Sequence, residues 1–254
     1  MHRRRMVRIG TAGWVIPRQS AEMAAGEGSH LERYARVMNC VEINSSFYRA
    51  HRPATWARWA EAVPEDFRFS VKFPKTVTHK AKLAVPAAAL DGFFAETAGL
   101  GKKLGVVLVQ LPPSLGFEDC PAVEFFEALR NRWQGAVSLE PRHASWFGAD
   151  AEELMQRHRV GRVAADPVRK GALALQTGGW RGLAYFRLHG SPRMYYSAYE
   201  AEFLAGVARA LAGLPEGTDQ WVIFDNTAAG HAFGNAVELQ GMSGAKSEGE
   251  MISK

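Results

Sequence analysis

Glu42, Lys72, Gln110, Glu140, Arg187, His189 and Asp225 are side chains that move protons or hold charge, and each stands at or near the end of a short β-rich run. Two carboxylates, Glu42 and Glu140, suit acid and base roles of the kind used in glycoside hydrolysis. The alternative is that each orients a neighbouring arginine or histidine. Lys72, Arg142 and Arg187 supply a point charge and two guanidinium forks, and His143 and His189 add protons near neutral pH, so a small anion is the ligand this set predicts. Lys72 would also suit a Schiff base if burial among cations lowered its proton affinity. His79, Glu140, His143, Asp166, His189 and Asp225 are the candidate ligands for a divalent metal. No two of them have a diagnostic spacing, and the nearby cations oppose a metal ion, so no cofactor is expected and a divalent ion is the alternative. Trp14, Tyr48, Trp146 and Tyr195 could stack on a ring or pack the rim.

The elements that must position these groups follow from the pattern of the chain. Runs at 7–11, 40–44, 67–73, 105–111, 136–140, 161–165, 184–189 and 220–225 read as eight strands. Segments 54–62, 90–100, 123–132, 149–157 and 200–211 have helical composition. Strand–helix alternation implies a parallel sheet, and eight units close a (β/α)8 TIM-type barrel of mostly parallel strands with outer helices. An open doubly wound sheet is disfavoured because no Gly-rich fingerprint follows the first strand.

Alternation within the strands then separates core-facing from helix-facing residues. In 67–73 the apolar set is Phe67, Phe69, Val71 and Phe73, which leaves Arg68, Ser70 and Lys72 inside. The same rule puts Tyr185, Arg187 and His189 inside, with Glu42, Asn44, Ser138 and Glu140. Arg68 is deep enough to pair with Glu42. Buried charges of this kind must be paired or wet, and barrel active sites gather at strand C-termini. Asp225 and Asn226 are alternatives for the last strand end.

Composition bounds the class. The chain has 254 residues, 47% hydrophobic and 22% charged, which suits one core without staples. Cys40 and Cys120 lie far apart and match no metal or redox spacing. The expected organisation is a flexible basic arm at 1–6, a single barrel at 7–240 and a disordered tail at 241–254. No signal-like or membrane-spanning run is present, so the expected compartment is the cytoplasm. The net charge of +5 favours phosphate-bearing partners modestly, and nucleic acid is only weakly supported. Nucleophile-elbow, phosphate-loop and zinc-pair motifs are missing.

Seven segments carry a resemblance: GTAGW (10–14), VEINSSFYR (41–49), FSVKFPKTVTHK (69–80), VQLPPS (109–114), EPRHASW (140–146), YFRLHG (185–190) and FDNTAAGHAFGNA (224–236). Together they resemble the YecE-like proteins, the domain of unknown function 72 family, over about 7–239. The resemblance implies a (β/α) barrel and no established activity. Its characteristic positions fall here on Glu42, Asn44, Tyr48, Lys72, His79, Gln110, Glu140, Arg142, His143, Trp146, Arg187, His189, Asp225 and Asn226. The stretch 14–31 is Ala- and Gly-rich and departs from the pattern.

These residues give two expectations for function. One is an enzyme acting on a phosphate- or carboxylate-bearing substrate by acid–base chemistry. Glu140 with His143 or His189, together with Lys72 and Glu42, would be catalytic. Asn44, Tyr48, Gln110, Arg142, Trp146, Arg187, Asp225, Asn226 and Trp14 would bind substrate. A metal-assisted phosphodiester hydrolase or a lyase is within that class. The other is a non-catalytic module that binds a ligand or nucleic acid with the same cup.

Overall fold

Parallel strands that are apolar on their outer face need a helix over that face and a neighbour on each edge, and a sheet closed on itself supplies both. The computed structural model of the chain describes residues 7–84, 87–168 and 170–243. Its strands are β1 (Val7–Ala12), β2 (Cys40–Ile43), β3 (Arg68–Lys72), β4 (Leu104–Gln110), β5 (Ala136–Glu140), β6 (Val160–Arg162), β7 (Ala164–Asp166), β8 (Gly178–Gly179), β9 (Leu183–Leu188) and β10 (Asp219–Phe224). They form one sheet in the order β7-β9-β10-β1-β2-β3-β4-β5-β6-β8. Every pairing is parallel except that of β6 with β8.

Ten strands therefore stand where eight were expected, and the reason lies at Val163. The expected strand 161–165 breaks there into β6, which pairs with β5, and β7, which pairs with β9. Val163 N still donates to Leu139 O at 2.8 Å, so a single chain segment passes from one neighbour to the other and brings the ring nearly closed. Gly161 permits the crossing, since a Cβ there would lie 2.9 Å from Leu183 O. The tenth strand, β8, is a two-residue addition on β6 that has no hydrophobic pattern to announce it.

Seven α-helices surround the sheet among the described residues: α1 (His30–Ala35), α2 (Pro53–Glu61), α3 (Ala87–Thr97), α4 (Asp119–Arg130), α5 (Ala149–Arg157), α6 (Ala201–Ala212) and α7 (His231–Ser243). The five expected helices are α2 to α6. α1 begins at the end of the divergent Ala- and Gly-rich stretch and starts on a capping box of Ser29 and Glu32. α7 continues through Gly241 to Ser243, past the point where the tail was expected to begin. The arm at 1–6 and the tail from 244 lie outside the described residues. Between β7 and β9 the described chain has β8 and no helix. No helix among the described residues is long and apolar enough to cross a membrane.

Two apolar layers result. Phe69, Val71, Phe73, Val107, Val109, Leu139 and Phe186 face outward to the helices in the larger one. The smaller fills the barrel with Cys40, Val106, Leu108, Val163, Leu183, Tyr185, Trp221 and Ile223. Arg68 does not pass through this plug to Glu42. It stays at the N-terminal rim and donates to Glu65 O at 2.6 Å and Phe67 O at 2.9 Å, where carbonyls and water accept it without desolvation of its charge.

Candidate functional site

Above the apolar plug the inward positions turn polar, and strand register brings them to one level. Glu42 lies opposite Ser70, and Gln110 opposite Glu140. From β9, Arg187 reaches across the barrel to β2. Its Nε and Nη2 donate to Glu42 Oε2 and Oε1 at 3.0 and 2.7 Å. Nη2 also reaches Asp225 Oδ2 at 3.1 Å, and Nη1 donates to Glu140 Oε2. One fully buried guanidinium thus holds three carboxylates, from β2, from β5 and from the residue that follows β10, through charge-assisted bonds of the stronger kind. Two residues earlier on β9, Tyr185 Oη lies 2.8 Å from Glu42 Oε2 and 2.7 Å from Ser70 Oγ, a second brace across the axis.

The remaining cup residues surround Glu140. Gln110 Nε2 donates to Oε2 at 3.0 Å, and Arg142 Nε to Oε1 at 3.2 Å. His189 Nδ1 lies 3.0 Å from Asp225 Oδ2. Its Nε2 is 3.5 Å from Glu140 Oε1, is buried, and makes no hydrogen bond among the described residues. Lys72, only 7% exposed, carries Nζ 4.1 Å over the Phe47 ring, within the range of a cation–π contact.

Burial alone would raise the Glu140 carboxyl, but Arg187, His189 and Arg142 together hold it well below the usual range. Asp225 is lowered in the same way, burial being outweighed by Arg187 and His189. Burial would also discharge His189, yet Glu140 and the Asp225 bond outweigh it and raise its proton affinity. Lys72 goes the other way. Burial, then Arg187, brings it down to about 8 against the pull of Glu140, Glu42 and Asp225. His79 is lowered by burial and by Lys72 and Arg142.

The structure thus brings Glu42, Lys72, Gln110, Glu140, Arg142, Arg187, His189 and Asp225 together. Asn44 sits at the end of β2 with Oδ1 buried and unpartnered among the described residues. His79 lies on a π-helical turn after β3, edge-on to Phe47 at 4.9 Å, with Nδ1 2.9 Å from Thr78 Oγ1. Tyr48, 70% exposed, marks the rim, and Trp14 packs edge-on against Trp59 at 5.1 Å. Tyr195 packs edge-on to His189 at 5.8 Å.

Four expected positions lie elsewhere. Trp146 is a core residue, 1% exposed, whose indole N–H donates to Leu115 O at 3.1 Å, so its ring has no open face for stacking. His143 is exposed and caps the 3-10 turn Ala144–Phe147 by accepting from Ser145 N. It makes no bond to Glu140, because the chain has left β5 and alternation no longer aims its side chain. Asn226 is buried and donates to Ser197 O and Asn235 Oδ1, which fixes a loop onto α7. Asp166 accepts from Tyr199 Oη at 2.7 Å. Among the described residues no group of three or more His, Cys, Asp or Glu side chains is arranged to hold a metal ion.

Sequence reasoning left out three contributors. Ser70 and Tyr185 were placed inward by alternation, but neither type signalled a brace. Phe47, in the 3-10 turn after β2, carried no chemistry in its type, yet it holds both Lys72 and His79.

A separate groove of about 580 Å³ opens on the barrel flank where the crossover helix is missing, lined in part by Glu152, Arg162, Trp180 and Thr218. None of the cup residues lines it. Its one buried charge, Arg162, is neutralised by Glu152, so the concentration of reactive groups is in the cup.

The family model for "Protein of unknown function DUF72" matches residues 8–253. UPF0759 protein YecE of Escherichia coli K12 is 34% identical over 167 residues, which cover 63% of this chain and 59% of that protein. UPF0759 protein YunF of Bacillus subtilis 168 is 27% identical over 157 residues, 56% of this chain and 52% of its own length. The chain thus spans between half and six tenths of the length of these curated relatives. A DUF72 family protein from Enterococcus faecalis V583 superposes with a TM-score of 0.80 at 21% identity, over 96% of this chain and 97% of that one. One from Thermotoga maritima MSB8 gives 0.76 at 26% identity, over 93% and 98%. With a family match over nearly its whole length and the same barrel in its structural neighbours, the chain belongs to the DUF72 family.

Proposed function

We propose that the cup is the active site of an enzyme that takes a small phosphate- or carboxylate-bearing substrate and works by acid–base chemistry. The supporting observation is a surplus of charge. Arg187, Arg142 and Lys72 match the carboxylates of Glu42, Glu140 and Asp225 charge for charge, and His189, whose proton affinity is raised, adds a fourth positive charge when protonated. An anion completes the balance, and a divalent cation would worsen it.

Roles divide by which donors remain open. Arg187, expected among the substrate binders, is occupied by carboxylates and acts as the brace. Lys72 and Arg142 keep N–H groups that no carboxylate takes among the described residues, and they grip the anion. His189 is oriented through Nδ1 by Asp225, which leaves Nε2 to give and take the proton, as an aspartate-held imidazole does in acyl transfer. Glu140 is held ionised, so it stabilises the imidazolium and does not serve as the acid. Hydrolysis of a phosphoester and lyase chemistry both use such a donor.

Calorimetric titration with phosphate, phosphoester and carboxylate ligands, followed by turnover assays on the ligands that bind, tests this reading. His189→Asn should lower turnover by roughly 10²–10⁴-fold, a larger effect than the weakening of anion affinity that follows from removing one positive charge. Arg142→Met should lower affinity. Tight anion binding without turnover of any class would favour a binding module, and affinity unchanged by Arg142→Met would remove the cup as the site.

A further inference from the structure

Lys72 differs from its neighbours in what it touches. Arg187, Arg142 and His189 each have a carboxylate oxygen within 3.5 Å. No ion pair or hydrogen bond to Lys72 Nζ is present among the described residues, although Glu42, Glu140 and Asp225 all act on it electrostatically. Its ammonium rests on the face of Phe47 instead. The tether is fixed as well, because Lys72 is the last residue of β3 and its carbonyl accepts from Ser46 Oγ at 2.7 Å. A lysine kept only for charge balance would close on one of the three carboxylates. Held on an aromatic face beside these carboxylates but bonded to none of them among the described residues, its nitrogen is free to form a bond.

We infer that Lys72 is a covalent nucleophile that condenses with a carbonyl group of the substrate to form an imine, the substrate being a carbonyl compound whose carboxylate or phosphate is held by Arg142. This deepens the reading of the cup as an anion-binding active site and rests on it. The amine nitrogen bonds to the carbonyl carbon, the C–O bond breaks, and the oxygen leaves as water with the two amine protons. One proton from His189 makes the product an iminium, which draws electrons from the adjacent carbon. His79 packs edge-on against the Phe47 ring that carries Lys72, and burial, then Lys72 and Arg142, lowers its proton affinity.

The proton affinity of Lys72 agrees with this geometry. Burial and Arg187 lower it to about 8, with Glu140, Glu42 and Asp225 opposing. At pH 7 the neutral amine is then about 300-fold more abundant than for an ordinary lysine.

The test is reductive trapping. Full-length protein is incubated with pyruvate at pH 7, reduced with cyanoborohydride and mapped by peptide mass spectrometry. An adduct concentrated on Lys72, absent in Lys72→Arg and rising in rate between pH 6 and 8, is the expected result. Adducts spread evenly over surface lysines would overturn the assignment in the wild-type protein itself, whatever the variant does. Calorimetry with pyruvate and with acetate, which has the carboxylate but no ketone, separates the two levels of inference. If both bind at Arg142 but nothing is trapped, the imine falls and the anion site stands. If neither binds, both fall.

Discussion

Replacing Lys72 by Met should stabilise the protein near neutral pH. At about 1.4 kcal/mol for each tenfold change in proton affinity, the fall from 10.5 to about 8 sets about 3 kcal/mol against the buried ammonium. The Phe47 face returns about 1 kcal/mol of it. The remaining cations, Arg187, Arg142 and His189, still balance Glu42, Glu140 and Asp225, so a methionine of similar length leaves no carboxylate stranded. The net gain is about 2 kcal/mol, a rise in Tm of roughly 4–8 °C for a chain of this size. The sign with pH follows from the lowered value. Below pH 8 both folded and unfolded chains carry the charge and the folded one bears the full penalty. Between pH 8 and 10.5 the folded lysine gives up its proton first, so wild-type stability climbs toward that of the variant. Urea denaturation of both proteins from pH 6.5 to 10 measures the gap. A variant less stable than wild type at pH 7, or a gap that does not narrow with rising pH, would refute the placement of an unpaired charged amine in the cup.

Arg187→Met should cost about 3–5 kcal/mol or abolish folding, since it strands Glu42, Glu140 and Asp225 without their shared partner; soluble yield and urea midpoints decide, and a loss under 1 kcal/mol would contradict the brace. Tyr185→Phe should cost about 1–3 kcal/mol by leaving Glu42 and Ser70 short of a buried partner, with thermal unfolding as the measurement. His189 binds its proton more tightly when folded, so the stabilisation it supplies is complete below about pH 6.5 and is lost as pH rises through the folded value. His189→Asn should flatten that decline, and matching pH–stability curves for the two proteins would show that the imidazole is not held charged.

How much of this was legible depended on whether the backbone was still in a strand. Alternation carried Glu42, Lys72, Glu140, Arg187 and His189 to the inside of the barrel, because successive strand residues must face opposite sides. It gave out at Asn226, two residues past β10, and at His143, three past β5. His143 and Trp146 follow β5 in a turn and a 3-10 segment, where spacing no longer fixes direction, and a tryptophan suits a core as well as a stacking site. Arg68 obeyed the alternation but sat at the open lower end, where a long side chain can turn back to solvent and carbonyls. Phe47 was illegible for a different reason. Its contribution is the electrostatic face of an apolar ring, which nothing in residue type distinguishes from packing.

The hand-off at Val163 has a consequence for how the molecule keeps to itself. A ring of strands is free of edges only if each strand is paired along its whole length. β6 and β7 are each bonded on one side, so β6 would present unpaired rungs to any passing strand of another chain. β8 occupies them through Gly161 with Gly179 and Arg162 with Gly178, and Trp180 N donates to Val160 O at 2.8 Å. That moves the edge outward to a segment of two residues, and there the Gly179 N–H is already taken by the Glu152 carboxylate. The seam left by the missing helix therefore ends on a stub with its outward donor occupied, too short to template the addition of a second chain.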